Sequence, residues 1–350
     1  MRVKVGEKYV GDGGPFYTVA EIGSNFDGSY ERAKKLIYLA KKAGADAVKF
    51  QCFTPDKIVS REGFEGLKMG FQAKWSKPVF EVYKDAEFPR EWNKGLFDYC
   101  KQIGITYFST PYDYEAADLL DSLGIPAFKI GSGDITWLDF LSYVAKKGKP
   151  VILGTGASTM QEIREAVHAI KSSGNEQLIL LQCVTNYPAS FDDANIRAMV
   201  KLKEAFTVPV GYSDHTPGDI VALGTLALGG CMIEKHFTDD KNRHGPDHPF
   251  AMDFSDFKKM VDDVRLLEKA LGTEKKELYN EEKETVILQR RCVRAAKDIA
   301  VGIKISQDML TVLRPAPEGS LPPKLAEHLV GRKSAIFLKK GEIITLDMVK

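Results

Sequence analysis

The chain has 350 residues, of which 44% are hydrophobic and 28% are charged, and its formal net charge is +1. This length allows one large domain and a small one, and the balanced charge excludes a surface devoted to nucleic acid or membranes. No segment has the length of a membrane span, and the N-terminal MRVKVGEKYVGDGG lacks the apolar stretch of a signal peptide. Five cysteines without a CxxC pair indicate reduced, buried thiols in a cytoplasmic protein.

Strand-like and helical segments alternate eight times between residues 16 and 271. Apolar runs predict strands at 16–23, 46–53, 105–110, 126–132, 150–156, 178–184, 208–214 and 231–237. Segments with one apolar face predict helices between them, for example at 29–44, 114–124, 158–174 and 255–271. Eight such repeats predict an α/β fold, a closed (β/α)8 TIM barrel. The longer loop 54–89 is predicted to form a flap over the barrel mouth.

The composition changes after the predicted barrel domain, which spans residues 1–272. A polar linker at 273–288 leads into a small β-rich domain at 289–350. Within it, IAVGIKISQDML and LKKGEIITLDMV align at an offset of 39 residues, pairing Gly302 with Gly341 and Ser306 with Thr345. Each copy predicts a glycine turn followed by a short helix capped by Ser or Thr. A unit this small is expected to complete a site built elsewhere.

Polar side chains stand at the ends of most predicted strands. Burying polar groups costs free energy unless they are paired, and the strand ends of a barrel collect catalytic groups, so this set predicts a site at the barrel mouth. It comprises Glu21, Lys49, Gln51, Thr110, Lys129, Ser132, Thr185, Tyr187, Ser213, His215, Glu234 and His236, with Asp247 from a following loop.

Lys49 and Lys129 each lie inside an apolar strand, in AVKFQ and AFKIG. A lysine there needs an anion nearby. One interpretation is a structural ion pair with Glu21 or Glu234. The other is a clamp for a phosphate or carboxylate, to which nearby hydroxyl groups would donate.

His215 and His236 follow two successive strands, so they are expected to be neighbours in the barrel, where strands lie about 4.8 Å apart. They are either satisfied core histidines or ligands of Mn²⁺, Mg²⁺, Co²⁺ or Zn²⁺ beside Glu234. Two protein ligands would leave positions open for water and substrate. His244 and His248, in RHGPDH, are interpreted as loop residues near the substrate. GTGAS at 154–158 is only weak evidence for a phosphate loop.

In chain order, VAEIGSN, GADAVKFQ, YFSTPYD, FKIGSGDIT, YSDHTPG, EKHFT and GPDH resemble the sialic acid synthase family over nearly the whole chain. KDIAVG and LRPAPEG in the tail resemble that family's antifreeze-like (SAF) domain. The resemblance implies a synthase that condenses phosphoenolpyruvate with an N-acylated hexosamine. The expected hexosamine is N-acetylmannosamine, which gives N-acetylneuraminate and phosphate. It also implies a homodimer in which the small domain of one subunit covers the barrel mouth of the other.

The resemblance assigns a role to each motif residue. His215 and His236 would hold a divalent metal, Mn²⁺ first and Mg²⁺ or Co²⁺ as alternatives. Phosphoenolpyruvate would be bound by Lys49, Thr110, Lys129, Ser132 and Ser213. The sugar would meet Glu21, Tyr187 and Asp247, with Thr185 beside them and Arg314 reaching its N-acyl group from the partner subunit. Gln51 and Glu234 would lie near the reacting atoms, where Glu234 is a candidate base for the attacking water.

Three departures from the family pattern bear on the acceptor sugar: Phe26 where histidine is usual, Gly154 where serine is common, and Arg-Pro-Ala-Pro where Arg-Pro-Gly is usual. They leave legionaminate or pseudaminate synthesis from a di-N-acetylated deoxyhexose as alternatives. An alternative of another class is a non-catalytic protein that binds carbohydrate or a surface. The filled set of strand-end polar groups argues against it.

Overall fold

The computed structural model describes residues 1–67 and 69–350, and these form two compact units, Met1–Gly272 and Thr273–Lys350. The first unit is a closed barrel of eight parallel strands, and the predicted fold class is confirmed. The strands are β3 Tyr17–Glu21, β4 Ala47–Cys52, β5 Thr106–Pro111, β6 Phe128–Ile130, β7 Val151–Gly154, β8 Leu178–Cys183, β9 Val210–Asp214 and β10 Met232–His236. They neighbour one another in sequence order, and β10 closes the barrel against β3.

Helices surround this barrel because each presents an apolar face to it. They are α1 Tyr30–Ala43, α4 Trp92–Ile103, α5 Tyr114–Ser122, α6 Leu138–Ala145, α7 Met160–Ser172, α8 Phe191–Ala194, α9 Arg197–Phe206, α10 Ile220–Ala227 and α11 Phe254–Leu271. Helix α1 begins where the Ser29 hydroxyl accepts a hydrogen bond from the Arg32 amide. Helix α7 begins with a capping box between Thr159 and Glu162.

An N-terminal hairpin, β1 Arg2–Val5 and β2 Lys8–Gly11, was not predicted from the sequence. Val3, Val5 and Val10 belong to the same buried cluster as the barrel residues Tyr17 and Ala47, which lie at the starts of their strands. The hairpin therefore packs against the end where the strands begin. The functional groups lie at the opposite end.

The long loop after β4 contains α2 Arg61–Glu65, α3 Val79–Asp85 and two short 3-10 helices, Pro55–Lys57 and Gly70–Lys74. It has a small apolar cluster of its own, formed by Val59, Val79 and Phe80. We call this segment, residues 54–89, the flap.

The second unit contains α12 Lys283–Gln289 and an antiparallel pair, β11 Cys292–Ala295 and β12 Leu310–Leu313. Its two repeats face each other: Ile299 forms an antiparallel bridge with Leu338, the residue 39 positions later. Gly302 and Gly341 both have positive φ, 80° and 85°, as the predicted turns require.

The predicted capping in this unit is wrong in detail. Ser306 and Thr345 occupy the N-cap positions of two 3-10 helices, Gln307–Met309 and Leu346–Met348, but make no capping bond to the backbone. Each hydroxyl instead donates to the carboxylate two residues later, on Asp308 and Asp347. A charged acceptor makes the stronger hydrogen bond. In the described part of the chain, no helix has the length and apolarity needed to cross a membrane.

Candidate active site

A cavity of about 710 Å³ opens at the ends of the barrel strands. Most of the strand-end residues predicted from the sequence line it: Glu21, Lys49, Gln51, Lys129, Ser132, Thr185, Tyr187, Ser213, His215, Glu234, His236 and Asp247. Thr110, the remaining strand-end prediction, is fully buried and accepts a hydrogen bond from the Lys49 ammonium at 3.3 Å. The flap contributes Ile58, Phe71, Trp75 and Tyr83 to the wall.

Two lysines and two glutamates form a buried cluster on the floor of this cavity. Lys49 Nζ lies 2.8 Å from Glu21 Oε2 and 3.6 Å from Glu234 Oε1, and Lys129 Nζ lies 3.1 Å from the same Glu234 oxygen. Ser213 donates to that oxygen at 3.2 Å. The structural ion pairs therefore exist, and both lysines also line the cavity that an anion would enter.

The pKa values of the two carboxyl groups of this cluster are shifted in opposite directions. Burial opposes ionisation of Glu234, but the ammonium groups of Lys129 and Lys49 outweigh it and hold its pKa at about 2. Burial raises the pKa of Glu21, because Lys49 offsets that cost only in part and Glu234 adds to it. Glu21 is thus the carboxyl group better suited to carry a proton at neutral pH.

The hydroxyl group of Ser132 lies between the ends of β6 and β7. The Gly156 amide donates to Ser132 Oγ at 2.9 Å. Within the GTGAS segment, this amide therefore binds a serine side chain. A Cβ atom on Gly154 would lie 2.8 Å from Ser132 Oγ. A side chain at position 154 would therefore crowd the Ser132 hydroxyl.

The two predicted metal ligands are neighbours, with ring centroids 5.6 Å apart. His215 Nδ1 donates to the Val184 carbonyl oxygen at 2.8 Å, which leaves Nε2 as the ring nitrogen available to a ligand. Burial lowers the pKa of His236 to about 3, so its imidazole is neutral. Its buried Nδ1 has no hydrogen-bond partner among the residues described.

Burial opposes a charge on His215, but Cys183 and the Val184 carbonyl outweigh it and raise the pKa of this imidazole. The arrangement fits a divalent ion bound by both imidazoles, which would displace the proton from His215. The unpaired buried nitrogen of His236 and the unpaired buried oxygen of Glu234 are polar atoms that lack a partner in the described part of the protein. In residues 1–67 and 69–350, no group of three or more His, Cys, Asp or Glu side chains could hold a metal. Any ion here would take its remaining ligands from water or substrate.

Of the predicted sugar contacts, Glu21 and Asp247 lie on the side of β3, and Tyr187 lies beside His215. Gln51 donates to Glu21 Oε1 at 2.6 Å. Asp247 Oδ2 accepts bonds from the amide and the hydroxyl of Ser24, at 3.0 and 2.8 Å. The Tyr187 ring packs on that of His215, with centroids 4.2 Å apart.

Two sequence interpretations change with the structure. His248 is fully buried rather than a loop residue near a substrate: it contacts Asp27 Oδ1 at 2.8 Å and Thr238 Oγ1 at 2.7 Å. Phe26, the departure after β3, packs edge-on against Phe88 and Trp92 in the core. It does not line the described cavity.

Sequence reasoning missed several residues of the wall, chiefly Tyr112, Asp134 and Phe250. Burial raises the pKa of Asp134 to about 6, and its buried Oδ2 finds no partner in the described part of the chain. Its position two residues after Ser132, at the end of β6, was the available signal. Arg314 belongs to the second unit, where it follows β12 and is exposed.

Comparison with known proteins places this geometry in context. The profile of the NeuB family matches residues 36–276, and that of the SAF domain matches residues 290–350. The chain is 38% identical to N,N'-diacetyllegionaminic acid synthase of Campylobacter jejuni, over 93% of this chain and 98% of that protein. It is 37% identical to pseudaminic acid synthase of the same organism, over 94% and 95%. A crystal structure of N-acetylneuraminic acid (sialic acid) synthetase from Leptospira borgpetersenii matches with a TM-score of 0.73 and 31% identity, over 82% of this chain and 95% of that one.

Proposed function

This chain belongs to the NeuB family, and on that basis we propose that it is a nonulosonic acid synthase. It condenses phosphoenolpyruvate with an N-acylated hexosamine to give a nine-carbon 2-keto acid and phosphate. The observation that carries the proposal is a single cavity that holds two buried lysines, two carboxylates of different pKa and two adjacent imidazoles.

Lys49 and Lys129 bind the anionic groups of phosphoenolpyruvate. In the free protein their charges are balanced by Glu21 and Glu234, so a bound phosphate and carboxylate compete for the same ammonium groups. Ser132 and Ser213 add hydroxyl donors to the anion. Holding both ends of this substrate removes much of the entropic barrier to a two-substrate reaction.

The bond forms between C3 of phosphoenolpyruvate and the aldehyde carbon of the open-chain sugar. Glu21, the carboxyl group with the raised pKa, gives a proton to the aldehyde oxygen. Water adds at C2 and passes a proton to Glu234. The C2–O bond to phosphate then breaks, and the C2 hydroxyl gives its proton to the departing phosphate and becomes the keto group. A divalent ion on His215 and His236 would supply Lewis-acid stabilisation of the charge on the aldehyde oxygen.

Glu234 is a weak base while two lysines hold its pKa at about 2. The negative charge of phosphoenolpyruvate reduces that stabilisation and raises the basicity of Glu234. Binding of phosphoenolpyruvate therefore activates Glu234 as the base for the water that attacks C2.

The sugar follows from the relatives only as a class. Two relatives from one organism, named for different products, are 38% and 37% identical to this chain, so identity does not separate the acceptors. N-Acetylmannosamine, which gives N-acetylneuraminate, stands first. The di-N-acetylated deoxyhexoses that lead to legionaminate or pseudaminate are the alternatives.

Phosphate release from phosphoenolpyruvate, measured with each sugar and with Mn²⁺ or Mg²⁺, tests this function. We expect turnover with one acceptor and a loss of about 100-fold or more in Lys129→Met, because a charge-assisted contact to the anion is removed. Lys94→Met removes an exposed ion-paired lysine on α4 and should leave the rate unchanged. Absence of turnover with every acceptor would instead favour a non-catalytic carbohydrate-binding protein.

A further inference from the structure

A second buried ion pair lies directly beside the candidate metal ligands but outside the cavity lining. Lys235 Nζ lies 2.8 Å from Asp214 Oδ2 and donates to the Thr216 carbonyl oxygen at 2.6 Å. Asp214 Oδ1 accepts from the amide and the hydroxyl of Thr216, both at 2.8 Å. All three residues are at most 2% exposed.

The pair faces away from the cavity because side chains alternate along a strand. Glu234 and His236 line the cavity, so Lys235 between them projects from the opposite face of β10. The register of the two parallel strands places Lys235 beside Asp214. The ammonium group thus ties β10 to the end of β9 from outside the barrel.

These contacts enclose one imidazole and adjoin the other. Asp214 immediately precedes His215 and Thr216 immediately follows it, and both are bound by Lys235. Lys235 itself is the residue before His236. One side chain therefore connects the backbone on both sides of the first histidine to the backbone of the second.

Stability alone is a poor explanation for this pair. Removing two charges from water costs several kilocalories per mole, and apolar residues of similar volume often serve a core as well or better. What an ion pair with several hydrogen bonds adds is a defined geometry. The element with defined geometry here is the backbone that carries the two imidazoles.

We propose that Lys235 is a positioning residue that sets the separation and orientation of the His215 and His236 rings, and through them the affinity for a divalent ion. The part of this inference that concerns the ion rests on the metal role in the proposed function. The part that concerns the rings does not.

The test uses the variant Lys235→Met/Asp214→Asn, in which both charges are removed together and the new amide side chain can still accept from Thr216. Imidazole ¹⁵N spectra of the metal-free protein report on the rings, and titration of free Mn²⁺ by electron paramagnetic resonance reports on affinity. We expect shifted ring signals for both histidines. We also expect Mn²⁺ affinity to fall by about 10- to 100-fold, as for residues that orient metal ligands from behind.

Arg265→Met is the matched control. It removes the ion pair between Arg265 and Asp46, 3.1 Å apart, in which Asp46 precedes β4 at the far end of the barrel. This variant should lose stability without changing the ring signals of His215 and His236 or the Mn²⁺ affinity.

The outcomes separate the two proposals. If the double variant keeps both ring signals and binds Mn²⁺ within twofold of the parent protein, Lys235 is merely structural and the positioning role is wrong. If the parent protein itself binds no Mn²⁺, the metal role falls. The metal-free spectra then decide the positioning role independently.

Discussion

At the scale of single residues, burial drives neighbouring groups in the cavity towards different protonation states. His236 is neutral because an imidazolium would lose its hydration, and its pKa falls to about 3. Glu234 is ionised because two lysines replace that hydration. Glu21 shares one of those lysines and has a raised pKa. The two carboxyl groups therefore hold a proton with different strength, and the imidazole of His236 beside them is neutral.

This difference makes His236 a source of acid sensitivity. An unfolded chain protonates this imidazole near its ordinary pKa of 6.5, whereas the folded protein does not until about 3. Between pH 7 and pH 5 the unfolded state therefore gains protons, and the free energy of unfolding falls by about 2 kcal/mol on account of this group. Urea denaturation at the two pH values should show that His236→Gln loses about 2 kcal/mol less unfolding free energy than the parent protein does.

His168→Gln is the control for this prediction, since His168 is exposed on α7. Its unfolding free energy should depend on pH as that of the parent protein does. An undiminished acid-induced loss in His236→Gln would show that His236 is protonated in the folded state.

At the scale of elements, the turn after β3 is locked to the loop after β10. Gly23 has a positive φ of 53°, and a Cβ atom there would lie 2.6 Å from Asp247 Oδ2 and 3.4 Å from the His236 ring. Ser24 holds the same Asp247 oxygen through two hydrogen bonds. The turn can approach Asp247 this closely only because residue 23 has no side chain.

Gly23→Ala should therefore displace Asp247. We expect kcat/KM for the sugar to fall by about 10- to 100-fold, because a displacement near 1 Å has an effect of that order, while KM for phosphoenolpyruvate changes little. Steady-state kinetics with each substrate varied in turn would measure this.

Gly28→Ala is a matched control, since Gly28 has a similar φ of 65° but a Cβ atom there would have no neighbour within 4 Å among the described residues. Both variants should lose about 1–2 kcal/mol of stability from the left-handed backbone. Only Gly23→Ala should impair use of the sugar. Equal kinetic losses would point to general loosening of the turn.

At the scale of the whole molecule, the second unit carries Arg314, the predicted contact to the sugar. That residue is exposed directly after β12, and the family pattern implies that it acts on the barrel of a partner subunit. Arg314→Ala should therefore raise KM for the sugar more than KM for phosphoenolpyruvate. Lys324→Ala, at another exposed position of this unit, should change neither value.

A shared site also predicts complementation between inactive subunits. When Arg314→Ala and Lys129→Met proteins are mixed under conditions that exchange subunits, half of the dimers are mixed and each has one intact site. Activity should then recover to about a quarter of the parent value. Activity that stays at the sum of the two variants, or a monomeric active enzyme, would contradict the swapped arrangement.

Local patterns in the chain were enough to predict the barrel and the set of residues at its mouth. The spacing of apolar residues is a property of neighbouring positions in the chain, so the eight strands could be recognised. The polar residue at the end of each strand could then be read directly from the sequence. The hairpin β1–β2 escaped because its strands are four residues long. Asp134 escaped because its burial depends on elements far away in the chain.

Which groups meet could be learned only from the folded molecule. Ser24 and Asp247 are 223 residues apart in the chain, and Lys129 and Glu234 are 105 apart. Closing the barrel brings such residues together, and no local pattern carries that information. The same closure excludes water from the mouth, and this desolvation is what separates the pKa values of Glu21, Glu234 and His236. The residue types in the sequence therefore indicate which reactions the site can perform. The packing of the folded chain determines the protonation states of those residues.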